Sequence, residues 1–178
     1  MNTREIEGKI VFYYPHADLF DDVQHLSAYM CKNIVTKEGG DLSESYAITD
    51  DEEPVFDVYL RETLPNVYEA VKPLTHGIDD AIVDSMTAES LAEMSGLELE
   101  DGGNYVVIIT QDHEAYNPND IKIADTALQS AIEQGVIAEY YARVLNKDLT
   151  EMSMNSAAAA LTVLAKRLLP LRRRSRVY

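Results

Sequence analysis

The chain has no tryptophan, one cysteine and three phenylalanines, and no acidic residue follows Glu151. Each shortage excludes something. A lone Cys31 rules out an intramolecular disulfide framework. No apolar stretch reaches the roughly 18–20 residues that a membrane span needs, and Met1, Asn2, Thr3, Arg4 and Glu5 open the chain with polar and charged groups where a secretory leader needs an apolar run. The expectation is an intracellular product without membrane contact. A phosphate-cradling loop is missing too, because Gly39 and Gly40 are not followed by the Lys-Ser/Thr pair that such loops require.

The missing acids near the end expose a segregation of charge. Of 15 Lys and Arg against 31 Asp and Glu, six basic residues lie in the last thirteen positions: Lys166, Arg167, Arg172, Arg173, Arg174 and Arg176. The stretch up to Ala165 is therefore left at net −22. This divides the chain into a body, 1–165, and a basic docking tail, 166–178. Compact charge of one sign is stabilised mainly by a surface of the other, so the tail, Tyr178 included, is expected to dock on acidic protein or on nucleic acid. The anionic body repels DNA, and any nucleic-acid contact falls to the tail alone, with a strong dependence on salt. At 178 residues the chain forms one domain, or one domain with an extension, and 46% hydrophobic content suffices for a core.

Hydrophobic periodicity predicts a mainly α fold, a small helical bundle with a C-terminal αα-hairpin, a minor β-hairpin and an extended basic tail. Ile10 to Tyr14 reads as a short strand or an extended lead-in that stops at Pro15. Leu19, Phe20, Val23, Leu26, Tyr29 and Met30 recur at three- and four-residue steps, predicting a helix over about 17–32. Asp50 and Asp51 are expected to cap a second helix that takes Pro54 in its first turn, is kinked at Pro65 and ends at Pro73. Ile82, Val83 and Met86 fit a strand or a helical turn, followed by a short helix over 87–94 with Gly96 as its stop. Alternation at 97–100, turn chemistry at 101–104 and the run Tyr105 to Thr110 predict a β-hairpin near 97–110, or at least two strand-like segments. Asn117 and Pro118 open a long helix to about Asn146, within which Gly135 marks close packing against a neighbour. Thr150 is expected to cap the final helix after a joint at 147–149.

Candidate chemistry along the chain reduces to ordinary structure. Asp112, His113 and Glu114 lack a second His at ligand spacing and read as a solvated loop. His16, His25 and His76 are scattered and form no local triad with Cys31, which reads as a small buried or half-buried thiol beside Met30 and not as a nucleophile. The carboxylates at 50–53 and 98–101 do not follow a calcium-loop spacing and serve helix starts and turns. Tyr13, Tyr14, Tyr29, Tyr59, Tyr68, Tyr140 and Tyr141 lie in or beside apolar patterns, mostly as core-edge residues. No catalytic residue, metal or cofactor is expected, and the chain does not read as an enzyme.

The order of parts is an aspartate-rich lead into LSAYMCK at 26–32, an acidic helix running into VYEAVKPL, the strand at 105–110, a long helix ending IAEYYARVL at 137–145, and an Ala/Leu helix running into Pro170 and the arginines. This arrangement resembles the head-tail connector proteins, also called adaptor or head-completion proteins, of tailed bacteriophages. The resemblance implies a structural virion protein, made in the bacterial host cytoplasm and located at the neck. It implies a homo-oligomeric ring, commonly dodecameric, that extends the DNA channel without reading sequence and meets portal and tail or neck proteins. In such rings a C-terminal extension reaches the portal, and the matching residues here are Lys166, Arg167, Arg172, Arg173, Arg174, Arg176 and Tyr178. The segment 79–103 is longer than a minimal connector needs. The alternative is a helical regulatory or adaptor protein that binds nucleic acid through its tail.

Overall fold

The computed structural model describes residues 3–6, 9–32, 46–72, 82–96, 99, 103–111, 117–144 and 146–168. Among them are strands β1 (Thr3–Ile6), β2 (Lys9–Pro15), β3 (Ile82–Thr87) and β4 (Asn104–Gln111). The helices are α1 (His16–Lys32), α2 (Phe56–Val71), α3 (Ala88–Ser95), α4 (Pro118–Arg143) and α5 (Lys147–Leu168). A 3₁₀ segment, Asp50–Val55, leads into α2. The fold is mainly α with a C-terminal αα-hairpin formed by α4 and α5, as expected.

The β component is larger than one hairpin. All four strands form a single antiparallel sheet in the order β1-β2-β4-β3. The strand expected over 105–110 is β4, but its partners are β2 and β3. Residues 97, 98 and 100–102 lie outside the described residues, and Leu99 is not in a strand. The reason for the unbroken apolar run is burial on both faces. Val106 and Ile108, with Ile10, Phe12 and Tyr14 of β2, face the main helical core. Tyr105, Val107 and Ile109, with Val11, face a second cluster completed by Ala88 and Leu91 of α3. β1 was not anticipated because four charged or polar-flanked residues carry no alternation signal of their own; pairing with β2 supplies it.

Helix ends follow local chemistry, with two corrections. The segment before α2 is capped by Thr49, not by Asp50 or Asp51: the Thr49 backbone N–H and hydroxyl both donate to Glu52 Oε2, at 2.9 and 2.8 Å. Helix α5 begins at Lys147, with Asn146 Oδ1 accepting from the Leu149 N–H at 3.2 Å. Thr150 instead donates its hydroxyl back to the Asn146 carbonyl at 2.8 Å. Asn117 Oδ1 accepts from the Asn119 N–H and Gly96 ends α3 at φ 62°, both as read from sequence, whereas Thr87, expected inside the short helix, is its N-cap. Pro65 lies inside α2, which runs on to Val71; Pro73 is outside the described residues.

Helix α4 is the centre of the bundle, packed by α1, α2 and α5. Ala124, Leu128, Ala131, Ile132, Val136, Ile137 and Tyr141 are all nearly or fully buried. The expectation for Gly135 holds: a Cβ placed there would run into the Thr63 Cγ2 methyl of α2, and Thr63 is itself buried. Replacing Gly135→Ala gains helix propensity of about 1 kcal/mol but overpacks the α2–α4 contact by about 1–3 kcal/mol. Urea denaturation is expected to show a net loss of stability, substantially recovered when Thr63→Ala is added; a single variant as stable as the parent would show that the two helices separate without cost.

Candidate functional site

The basic C-terminal cluster is only partly within the described residues. Lys166 and Arg167 occupy the exposed last turn of α5, where positive charge also suits the negative end of the helix. Arg167 Nη1 lies 3.3 Å from Asp120 Oδ1, tying the end of α5 to the first turn of α4. Arg172, Arg173, Arg174, Arg176 and Tyr178 lie outside the described residues. Along α5 the buried residues are few: Leu149, Ser153 and Leu164. Met152, Met154 and Val163 are exposed at 43%, 59% and 41%, with Val163 beside Lys122, Thr126 and Ser130 of α4 and Met154 on the opposite flank, beside Thr63 of α2 and Gly135 of α4. Met152, Ser156, Ala159 and Val163 follow one another at steps of four, three and four, a single stripe on a helix. No helix among the described residues is long and apolar enough to cross a membrane.

A second group of polar side chains comes together where no sequence signal pointed. His16 starts α1, Asp57 lies in the first turn of α2, and Ser85 is on the edge strand β3. His16 Nδ1 is 3.0 Å from Asp57 Oδ1, and His16 Nε2 is 3.0 Å from Ser85 Oγ. A carboxylate at Nδ1 holds the proton on that nitrogen, which leaves the Nε2 lone pair to accept from the Ser85 hydroxyl. The His16 side chain is 14% exposed and that of Asp57 is 61% exposed. Burial pushes the imidazole below its usual pKa, opposed by the Asp57 carboxylate, so neutral imidazole is favoured. A cavity of about 270 Å³ is lined by His16, Asp57, Arg61, Asp84 and Ser85. A second, of about 390 Å³, reaches His16 from the side of Phe20, Phe56 and Tyr105.

Three elements far apart in the chain supply these groups, and each side chain alone has an innocent reading, which is why spacing could not reveal them. The other expected sites resolve more simply. Cys31 is fully buried and lies 3.1 Å from the Tyr141 hydroxyl. Tyr14, Tyr59, Tyr140 and Tyr141 are buried, whereas Tyr29 is exposed. His76 and residues 112–116 and 98 lie outside the described residues. No group of three or more His, Cys, Asp or Glu among the described residues is placed to hold a metal.

At the α1–α4 interface lies a cluster of carboxylates. Gln129 Nε2 donates to Asp22 Oδ2 at 2.9 Å, and the Tyr14 hydroxyl donates to Asp125 Oδ1 at 3.0 Å. Glu133 has its pKa raised from 4.5 to about 7, mainly by burial and in part by the Asp22 charge, against a lowering hydrogen bond from Gln129. Below its unfolded pKa the group costs nothing on folding. As pH rises from about 4.5 to about 7 the folded chain retains a proton the unfolded chain has lost, and stability falls. Glu133→Gln is expected to be more stable than the parent at pH 8 by about 1–2 kcal/mol, after discounting for solvent screening. The advantage shrinks at pH 5; a stability difference independent of pH would contradict a raised carboxyl.

No protein-family model, curated protein or solved structure matches this chain.

Proposed function

We propose that this chain is a structural virion protein that assembles as a ring at the capsid vertex, joins portal to tail or neck proteins and extends the DNA channel. It docks through residues 166–178. The observation that carries this reading is the surface of α5. A 22-residue helix that buries only a narrow face on its own domain, turns Met152, Met154 and Val163 outward and ends in positive charge is suited to a second partner. A second copy of the chain fits by charge, since the body is at net −22 and the C-terminal end is basic.

Two further features support the reading. A mainly helical domain closed by an αα-hairpin has the architecture that the resemblance implies. An anionic body lets DNA pass without trapping it, because phosphate and carboxylate repel.

The native mass of the full chain is expected to be that of a closed multimer. Met152→Glu and Val163→Glu, both at exposed positions, are expected to reduce it to the monomer without changing thermal stability. A parent protein that remains monomeric at all concentrations would overturn the assembly. Deletion of 166–178 is expected to abolish docking on the portal while the domain still folds, and undiminished docking would refute the role of the tail. Binding of the isolated monomer to DNA, weakening steeply with salt, would favour the nucleic-acid alternative.

A further inference from the structure

From the joint geometry of β3, α1 and α2 we infer that Ser85 is a nucleophile for acyl transfer from small carboxylic esters, with His16 as its general base and Asp57 as the residue that positions His16. This does not rest on the ring proposed above. The argument begins with the two 3.0 Å contacts, which place a hydroxyl, an imidazole and a carboxylate in the sequence of contacts that activates serine hydroxyls on unrelated folds. Here the half-hidden imidazole is held by a carboxylate on one nitrogen and directs the other at an exposed hydroxyl, with a cavity on either side.

The step balances without a further reagent other than water. Ser85 Oγ attacks the ester carbonyl carbon as its proton passes to His16 Nε2. The bond from that carbon to the alcohol oxygen breaks, and the alcohol departs with the proton from His16. Water, deprotonated by the same nitrogen, then releases the acid from Ser85.

The Ser85 backbone N–H does not face the developing oxyanion, because it donates to Asp84 Oδ1 at 2.8 Å. Arg61 lines the same cavity and forms no ion pair among the described residues, so its guanidinium is the group available to meet that negative charge. Asp84, on the same wall, disfavours anionic substrates, which is why the class is a neutral ester. Asp18 and Glu53 on the far side of His16 complete the charged surroundings.

The test uses the full chain with p-nitrophenyl acetate, following p-nitrophenol release and locating the acetyl group by peptide mass. Label on the peptide containing Ser85, lost in Ser85→Ala and reduced by roughly 100-fold or more in His16→Asn, is the expected result. Rates are expected to rise with pH as His16 becomes neutral. In Asp57→Asn the plateau falls and the inflection moves to lower pH, since the carboxylate that held the imidazole pKa up is gone. A purely structural Asp57 would not move the inflection. Circular dichroism and thermal unfolding check that each variant is folded. Equal rates for the parent and folded Ser85→Ala, acetylation only at other residues, or Ser85 labelling that is indifferent to His16→Asn would each overturn the inference.

Discussion

Helix α4 must be enclosed on several sides at once, and this constraint organises the molecule. Its Ala and Gly positions let α2 and α5 approach closely, while Leu128, Ile132, Val136 and Ile137 fill the space toward the other elements. The contact between Gly135 and Thr63 sets how near α2 comes. The place of α2 in turn sets where Asp57 and Arg61 stand relative to the sheet. A protein interior packed to crystal-like density transmits such a placement without slack.

The sheet is the second fixed body. Because β4 is central and buried on both faces, β3 is held at an edge with Asp84 and Ser85 exposed, and β2 runs directly into α1 at Pro15–His16. That junction aims His16 into the gap between the helical layer and the edge strand. Phe20 and Phe56 pack edge-to-face at 5.2 Å beneath it, fixing the start of α1 against the start of α2. The Ser85–His16–Asp57 contacts are thus a product of two rigid layers meeting, and no flexible loop is needed to assemble them.

Polar groups in the core follow the same geometry. Tyr141 bonds Cys31 and Tyr14 bonds Asp125, each satisfying a phenol that the core has taken from water. At the outer end of α4, Arg143 stacks over Tyr59 at 5.0 Å and bonds both Glu62 carboxylate oxygens at 2.8 Å, so a rim of charge closes over aromatic surface. The α5 helix receives little of this attention on its far side. It closes the hairpin with α4 and leaves Met152, Met154 and Val163 exposed along its flanks and a cationic last turn in solvent.

Helices α1 to α5 were legible because a 3.6-residue repeat is a local property, and the value of Gly135 was legible because glycine in a helix interior has a cost that packing must offset. The β1 strand, the four-strand sheet and the Thr49 cap were not, since pairing and side-chain choice between adjacent candidates depend on neighbours distant in the chain. The amino-acid order by itself determined a mainly helical domain and the separation of an acidic body from a basic end, because composition and periodicity are carried by each segment alone. Only the tertiary structure decided that His16, Asp57 and Ser85 meet, since hydrogen bonds between elements separated by dozens of residues exist only after the layers that carry them have packed.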